Sequence, residues 1–167
     1  LVPALGALRI RSDLERKRMT GMLGRSAPSA VGQGLYASGL SHRVYAHLAD
    51  SAEVCLRAGY NVIVDAAFLD AADRDLFRGL ASRLRTGFLI AACTASVDVL
   101  TERVAMRARH GQDPSDATAA VLAEQLRTLK PLSAAELPYA VVVHSADAGA
   151  LATLLGRKPL VPQEPFR

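Results

Sequence analysis

Ala58-Gly59-Tyr60-Asn61-Val62-Ile63-Val64-Asp65-Ala66-Ala67-Phe68 is the stretch on which the reading of the chain turns. A glycine turn leads into a short apolar, β-branched run that stops on a carboxylate. Such a run, apolar on both faces, suits a strand of a parallel sheet covered from both sides. The pattern recurs on either side of it. Phe88-Leu89-Ile90-Ala91-Ala92-Cys93 follows Thr86-Gly87, Ala140-Val141-Val142-Val143-His144 follows Leu137-Pro138-Tyr139, and the shorter Ala7-Leu8-Arg9-Ile10 follows Gly6.

Helical patterns separate these runs. Tyr45, Leu48, Ala49, Ala52, Cys55 and Leu56 recur at helical spacing, and Gly59 is placed to end that helix. Asp70 is placed to cap the next helix, with Asp73 in its first turn and Leu76, Phe77, Leu80 and Leu84 on its buried face. Val97, Leu100 and Val104 form an apolar stripe on a third helix, and Val121, Leu122, Leu126 and Leu129 on a fourth. Strands alternating with helices predict an α/β fold with a parallel sheet. Residues 21–40 are rich in Gly and Ser and read as a loop or mobile segment, and residues 158–167, with three Pro, as an extended tail. One domain over residues 1–157 fits the length.

Half the residues are hydrophobic and 22% are charged, so the chain is expected to be globular rather than disordered. The net charge of +4 comes mostly from arginine, with only Lys17, Lys130 and Lys158 as lysines. Arginine forks suit bidentate phosphate contacts, although an Arg- and Ala-rich genome gives the same bias. The charge is spread along the chain and Trp is absent, which argues against a nucleic-acid groove. Cys55 and Cys93 form no Cys-x-x-Cys and are expected in the core; the four His have no ligand partners at metal spacing. No apolar run approaches the ~18 residues of a membrane span, and the cytoplasm is the expected location.

Three constellations have the residue types for chemistry. Arg11-Ser12-Asp13-Leu14-Glu15-Arg16 directly follows the first strand, where a parallel sheet collects functional groups. Asp13 there suits a base for a hydroxyl nucleophile, with Arg16 on the same side of the first helical turn; the alternative is that Ser12 or Asp13 caps the helix. Asp65 closes a run of three apolar residues in the manner of a Walker B carboxylate, which serves Mg²⁺ or its water shell, or is an ordinary loop acid. Arg103 and Arg107 lie one helical turn apart, a spacing that either suits an anion or sits on a solvated face. The polar stretch His110 to Ala117 follows, containing Asp113, Ser115 and Asp116, and a lid is expected at about residues 103–120.

In this order and between these strands, the stretches resemble the P-loop kinases related to polynucleotide kinase, gluconate kinase and the zeta-toxin group, an AAA-type ATP-binding family. The resemblance is greatest to the kinase domain that follows a phosphotransferase-like domain in bacterial proteins. It rests on residues 5–17, 58–69, 103–109 and 113–117. It implies a three-layer parallel sheet with flanking helices, ATP and Mg²⁺ as cofactors, and a small-molecule phosphate acceptor. Asp13 becomes the acceptor-side base, Arg16 an acceptor anchor, and Asp65 the residue of the Mg²⁺ side. Arg103, Arg107 and Arg109 become lid arginines, and Asp113, Ser115 and Asp116 shape the acceptor face. A phosphotransferase-like domain on the N-terminal side is the implied partner.

One departure from that family is large. Its phosphate loop, Gly-x-x-x-x-Gly-Lys-Ser/Thr, does not occur, and neither Gly21/Gly24 nor Gly32/Gly34 is followed by Lys. The expectation is therefore a fold lacking its first strand and phosphate loop, as in an N-terminally truncated chain, and inactive without them. That strand belongs between the one ending at Asp65 and the one ending at Cys93, so two edges should be left unpaired or rearranged. A non-catalytic interaction module that kept the fold is the other expectation.

Overall fold

In a computed structural model of the chain, which describes residues 5–22, 38–110, 118–144, 149–156 and 159, the apolar run Asn61–Asp65 is a strand. The elements in chain order are β1 (Ala7–Arg11), α1 (Ser12–Met19), α2 (Ser38–Arg57), β2 (Asn61–Asp65), α3 (Ala71–Leu84), β3 (Ile90–Thr94), α4 (Val97–His110), α5 (Ala119–Thr128), a 3-10 turn (Leu137–Tyr139), β4 (Ala140–His144) and α6 (Ala150–Gly156). Strands and helices alternate as expected. β3 begins at Ile90 rather than Phe88, and α2 begins at Ser38, inside the stretch expected to be loop. The short α6 is an addition, because seven residues give helical periodicity little room to show. Residues 23–37 of the Gly-rich stretch, and the tail apart from Pro159, lie outside the described residues.

Both helix punctuation marks around β2 act as the sequence indicates. Gly59 adopts φ 87°, which only glycine takes without strain, while its N–H donates to Leu56 O and the Tyr60 N–H donates to Cys55 O. This pair of bonds satisfies the last carbonyls of α2 and turns the chain into β2. Asp70 caps α3, its Oδ1 accepting the Ala72 N–H at 3.1 Å.

The core lies where α2 and α3 cover β1 and β2. Val44, Tyr45, Leu48, Ala49 and Ala52 from α2 meet Phe77 and Leu80 from α3, with Ile10, Val62 and Val64 of the strands against them. Leu48 and Val44 are fully buried. Glu15 of α1 is buried, accepts from Arg18, and faces His47 Nε2 of α2 at 3.2 Å, which fastens the first two helices together. Three apolar expectations fail. Val97, Leu126 and Leu129 are exposed although Val104 and Val121 on the same helices are buried. Cys93 is exposed and Cys55 only partly buried, so neither is a core residue.

All strand pairing is parallel, and it is split. β1 pairs with β2, Ala7 opposite Asn61 through Arg11 opposite Asp65. β3 pairs with β4, Ile90 opposite Ala140 through Thr94 opposite His144. Among the described residues no ladder joins β2 to β3. Among the described residues β2 and β3 thus each pair on one side only. Partial burial of its sulfur first, and then the nearby charge of Asp65, push the Cys93 thiol pKa up, so the Asp65 carboxylate lies within electrostatic reach of β3.

Candidate active site

The carboxyl ends of the strands, where α/β sheets place their ligands, carry Arg11, Asp65, Thr94 and His144. β1 leads straight into α1, so Asp13 follows its strand end by two residues. The register sets Arg11 beside Asp65, which brings Asp13 and Asp65 to neighbouring strand ends.

Both carboxylates are held by arginines of β1. Arg11 grips Asp13 through two bonds, Nε to Oδ1 at 3.1 Å and Nη2 to Oδ2 at 2.6 Å. Arg9 does the same to one oxygen of Asp65, donating from Nε at 2.9 Å and also from Nη2. Arg9 and Arg11 are two residues apart on a strand and so share a face. That alternation, two arginines in a five-residue run otherwise apolar, was the available signal for this pairing. Neither Ser12 nor Asp13 is the N-cap of α1. Arg11 holds that position without a side-chain cap bond, while Asp13 Oδ1 accepts the Leu14 N–H at 2.8 Å. Asp13 thus satisfies one orphan amide of the first turn and keeps its second oxygen on Arg11.

Arg16 is partly buried on α1, and its charge reaches the hydroxyl of Tyr45, whose pKa is raised chiefly by burial. The Phe68 N–H donates to that hydroxyl at 3.0 Å. Asp73 lies nearby in the first turn of α3. Burial and then the charge of Asp70 raise its pKa, against the opposing charges of His42 and Arg74. Tyr45, Phe68, Arg74 and Asp73 carry no local motif, and only their meeting around the loop after Asp65 reveals them. In the other two-stranded sheet, Thr94 Oγ1 at the end of β3 and His144 Nδ1 at the end of β4 are 2.9 Å apart.

Arg103, Arg107 and Arg109 are exposed on α4, the first two on one helical face. None of them bonds to Asp13 or Asp65, whose partners are Arg11, Leu14 and Arg9. Asp113, Ser115 and Asp116 lie outside the described residues. The described residues contain no group of three or more His, Cys, Asp or Glu able to hold a metal ion. A Mg²⁺ at Asp65 would take the rest of its shell from phosphate oxygens and water, as this ion usually does. The phosphates themselves lack a fit, because the sequence supplies no glycine loop with a lysine to cradle them.

Parallel strands, helices on their flanks and paired carboxylates at adjoining strand ends define a P-loop kinase-like architecture. A family described as an AAA domain matches residues 1–132, and the chain belongs to it. Uncharacterized proteins of Mycobacterium tuberculosis and Mycobacterium bovis are 31% identical to it over 121 residues, covering 71% of this chain and 24% of theirs. The chain thus spans about a quarter of the length of the curated relatives it matches. Its fold is similar to that of a gluconokinase from Sinorhizobium meliloti, with a TM-score of 0.61 at 22% identity, covering 92% of this chain and 78% of that one. Kinases of this architecture generally use ATP and Mg²⁺. Among the described residues no helix is long and apolar enough to cross a membrane.

Proposed function

We propose that the chain is the acceptor-side and lid portion of an ATP-dependent phosphotransferase acting in the cytoplasm on a small molecule or a polynucleotide end. The observation that carries this reading is the placement of Asp13 and Asp65 at adjoining strand ends of an interrupted parallel sheet. Asp13 takes the proton of the acceptor hydroxyl once Arg11 yields one of its oxygens, and Arg16 anchors the acceptor. Asp65 serves the Mg²⁺ side. Arg103 and Arg107 neutralise charge on the transferring phosphoryl group, as fixed cations do in phosphoryl transfer, and Arg109 meets the nucleotide. Asp113, Ser115 and Asp116 shape the acceptor face. The phosphate loop comes from outside these 167 residues, and without it the chain does not transfer phosphate. A phosphotransferase-like domain preceding it in a parent protein is the proposed partner.

One observation favours the second reading, a non-catalytic interaction module: Arg9 already neutralises Asp65. The two readings separate in one assay. The chain, joined to a segment that supplies Gly-x-x-x-x-Gly-Lys-Ser/Thr and its strand, is given labelled ATP and Mg²⁺ with sugars, aminoglycosides, nucleosides and 5′-hydroxyl oligonucleotides. Label transfer to one acceptor class, abolished by Asp13→Asn, is the expected result. A folded protein that binds nucleotide and labels none of them would leave the interaction module as the better reading.

A further inference from the structure

Arg74, in the first turn of α3 and 5% exposed, spreads its guanidinium over two segments far apart in sequence. Nη1 donates to Phe68 O at 2.9 Å and to Lys130 O at 3.2 Å. Nη2 donates to Pro131 O at 3.2 Å and to Glu136 Oε2 at 3.2 Å, and Nε donates to Glu136 Oε1 at 2.5 Å. Glu136 is 2% exposed and also accepts from the N–H and the hydroxyl of Ser133, both at 2.8 Å. A planar fork with five N–H groups is the side chain that can serve this many acceptors at once; an ammonium cannot.

The segment gripped on one side is the loop after Asp65. Phe68 there has φ 48°, a left-handed setting that a residue with a Cβ holds only when its surroundings impose it. Both faces of its backbone are fastened: its N–H donates to the Tyr45 hydroxyl and its carbonyl accepts from Arg74. The next carbonyl, Leu69 O, accepts the Lys130 N–H at 2.9 Å, so the loop is also tied directly to the chain leaving α5. A buried pair is often replaced by apolar side chains without loss of stability, whereas its directional bonds are not replaced.

We propose that Arg74 is a positioning residue that sets the loop behind Asp65 and couples it to residues 130–136, so that the two segments keep or lose their geometry together. The inference rests on the kinase reading only for the role of Asp65; the coupling is a property of the chain itself. Hydrogen exchange on the 167-residue chain tests it without nucleotide, so its failure and a failure of the kinase reading are distinguishable. Arg74→Met combined with Glu136→Leu is expected to keep a single cooperative melting transition, lowered because Phe68 O, Lys130 O and Pro131 O lose their donor, while the amides of Phe68, Lys130 and Glu136, which donate to Tyr45, Leu69 and Ser133, exchange at least ten times faster and those of β1 and α2 change less. Arg74→Lys, which keeps the charge and can still meet Glu136, guards against a double variant that does not fold. It is expected to show the same local acceleration, since it cannot also reach Phe68 and Pro131. Native exchange at Phe68 and Lys130 in the folded variants would overturn the proposal. So would an acceleration spread equally over β1 and α2, because that reports lost stability rather than lost positioning.

Discussion

Asp13 is bound on one side by Arg11 and on the other by the Leu14 amide, so its carboxylate meets a cation before it meets any substrate. In a version of the chain completed with a phosphate loop, Asp13→Asn should lower turnover by about 10²-fold or more and leave nucleotide affinity nearly unchanged, because the proton acceptor is lost while the loop that holds the nucleotide is intact. Single-turnover kinetics alongside nucleotide titration would show it; unchanged turnover would reduce Asp13 to a structural partner of Arg11 and the Leu14 amide. Glu136 gives a prediction that needs no activity. Its carboxyl is held down to about 2 from 4.5, first by the Arg74 hydrogen bond and then by the Ser133 amide and hydroxyl, against its burial. A folded pKa below the unfolded one stabilises fully above about pH 4.5, and the contribution fades as pH falls toward about 2. The shift corresponds to about 3 kcal/mol. Acid unfolding followed by circular dichroism should therefore have a steep limb in that window, and Glu136→Gln should flatten it while lowering stability at neutral pH. The placement of Asp65 was legible because it ends an apolar run, and that of Asp13 because it follows a short strand by two residues. Arg74 and Glu136 were not, because their sequence separation of 62 leaves no local trace of the contact.

Helices and strands were legible where burial imposes a period, and less so where it does not. The α2 stripe from Tyr45 to Leu56 and the glycine that ends it follow from sequence because core and cap both act locally. On α4 and α5 the period identifies an apolar stripe, yet Val97, Leu126 and Leu129 stay exposed. Periodicity states which face is apolar, not whether a neighbour covers it. The exposed arginines of α4 belong to this scale. In the completed enzyme, removing the guanidinium of Arg103 or of Arg107 should slow the reaction by about 10²–10³-fold, the loss expected for one fixed charge in a phosphoryl transition state. Steady-state rates for each single variant and for the pair are the check. A small effect from the pair would mark them as a solvated face that stays apart because nothing anionic visits it.

At the scale of the whole molecule, the split between β2 and β3 and the lack of a glycine-lysine loop have one consequence for binding. In this architecture the loop's amides and lysine hold the nucleotide, and in the function proposed above Asp65 and the α4 arginines only approach the phosphates from other sides. The 167-residue chain should bind ATP–Mg²⁺ no better than about millimolar, roughly 4 kcal/mol. Calorimetric titration measures it directly; a micromolar constant would require a phosphate site elsewhere in the chain. The split itself was foreseeable only from the family's strand order, since each strand reads as complete alone. The Arg74–Glu136 contact bears in turn on the order in which the chain assembles. The core joining α2, α3 and β2 forms from residues near one another in sequence, whereas residue 136 must return across a long loop whose closure costs chain entropy. Residues 130–136 are thus expected to dock last. Until they arrive, the carbonyl of Phe68 and the guanidinium of Arg74 are expected to stay open to water, and the last closing of the chain is expected to dry the ground behind Asp65.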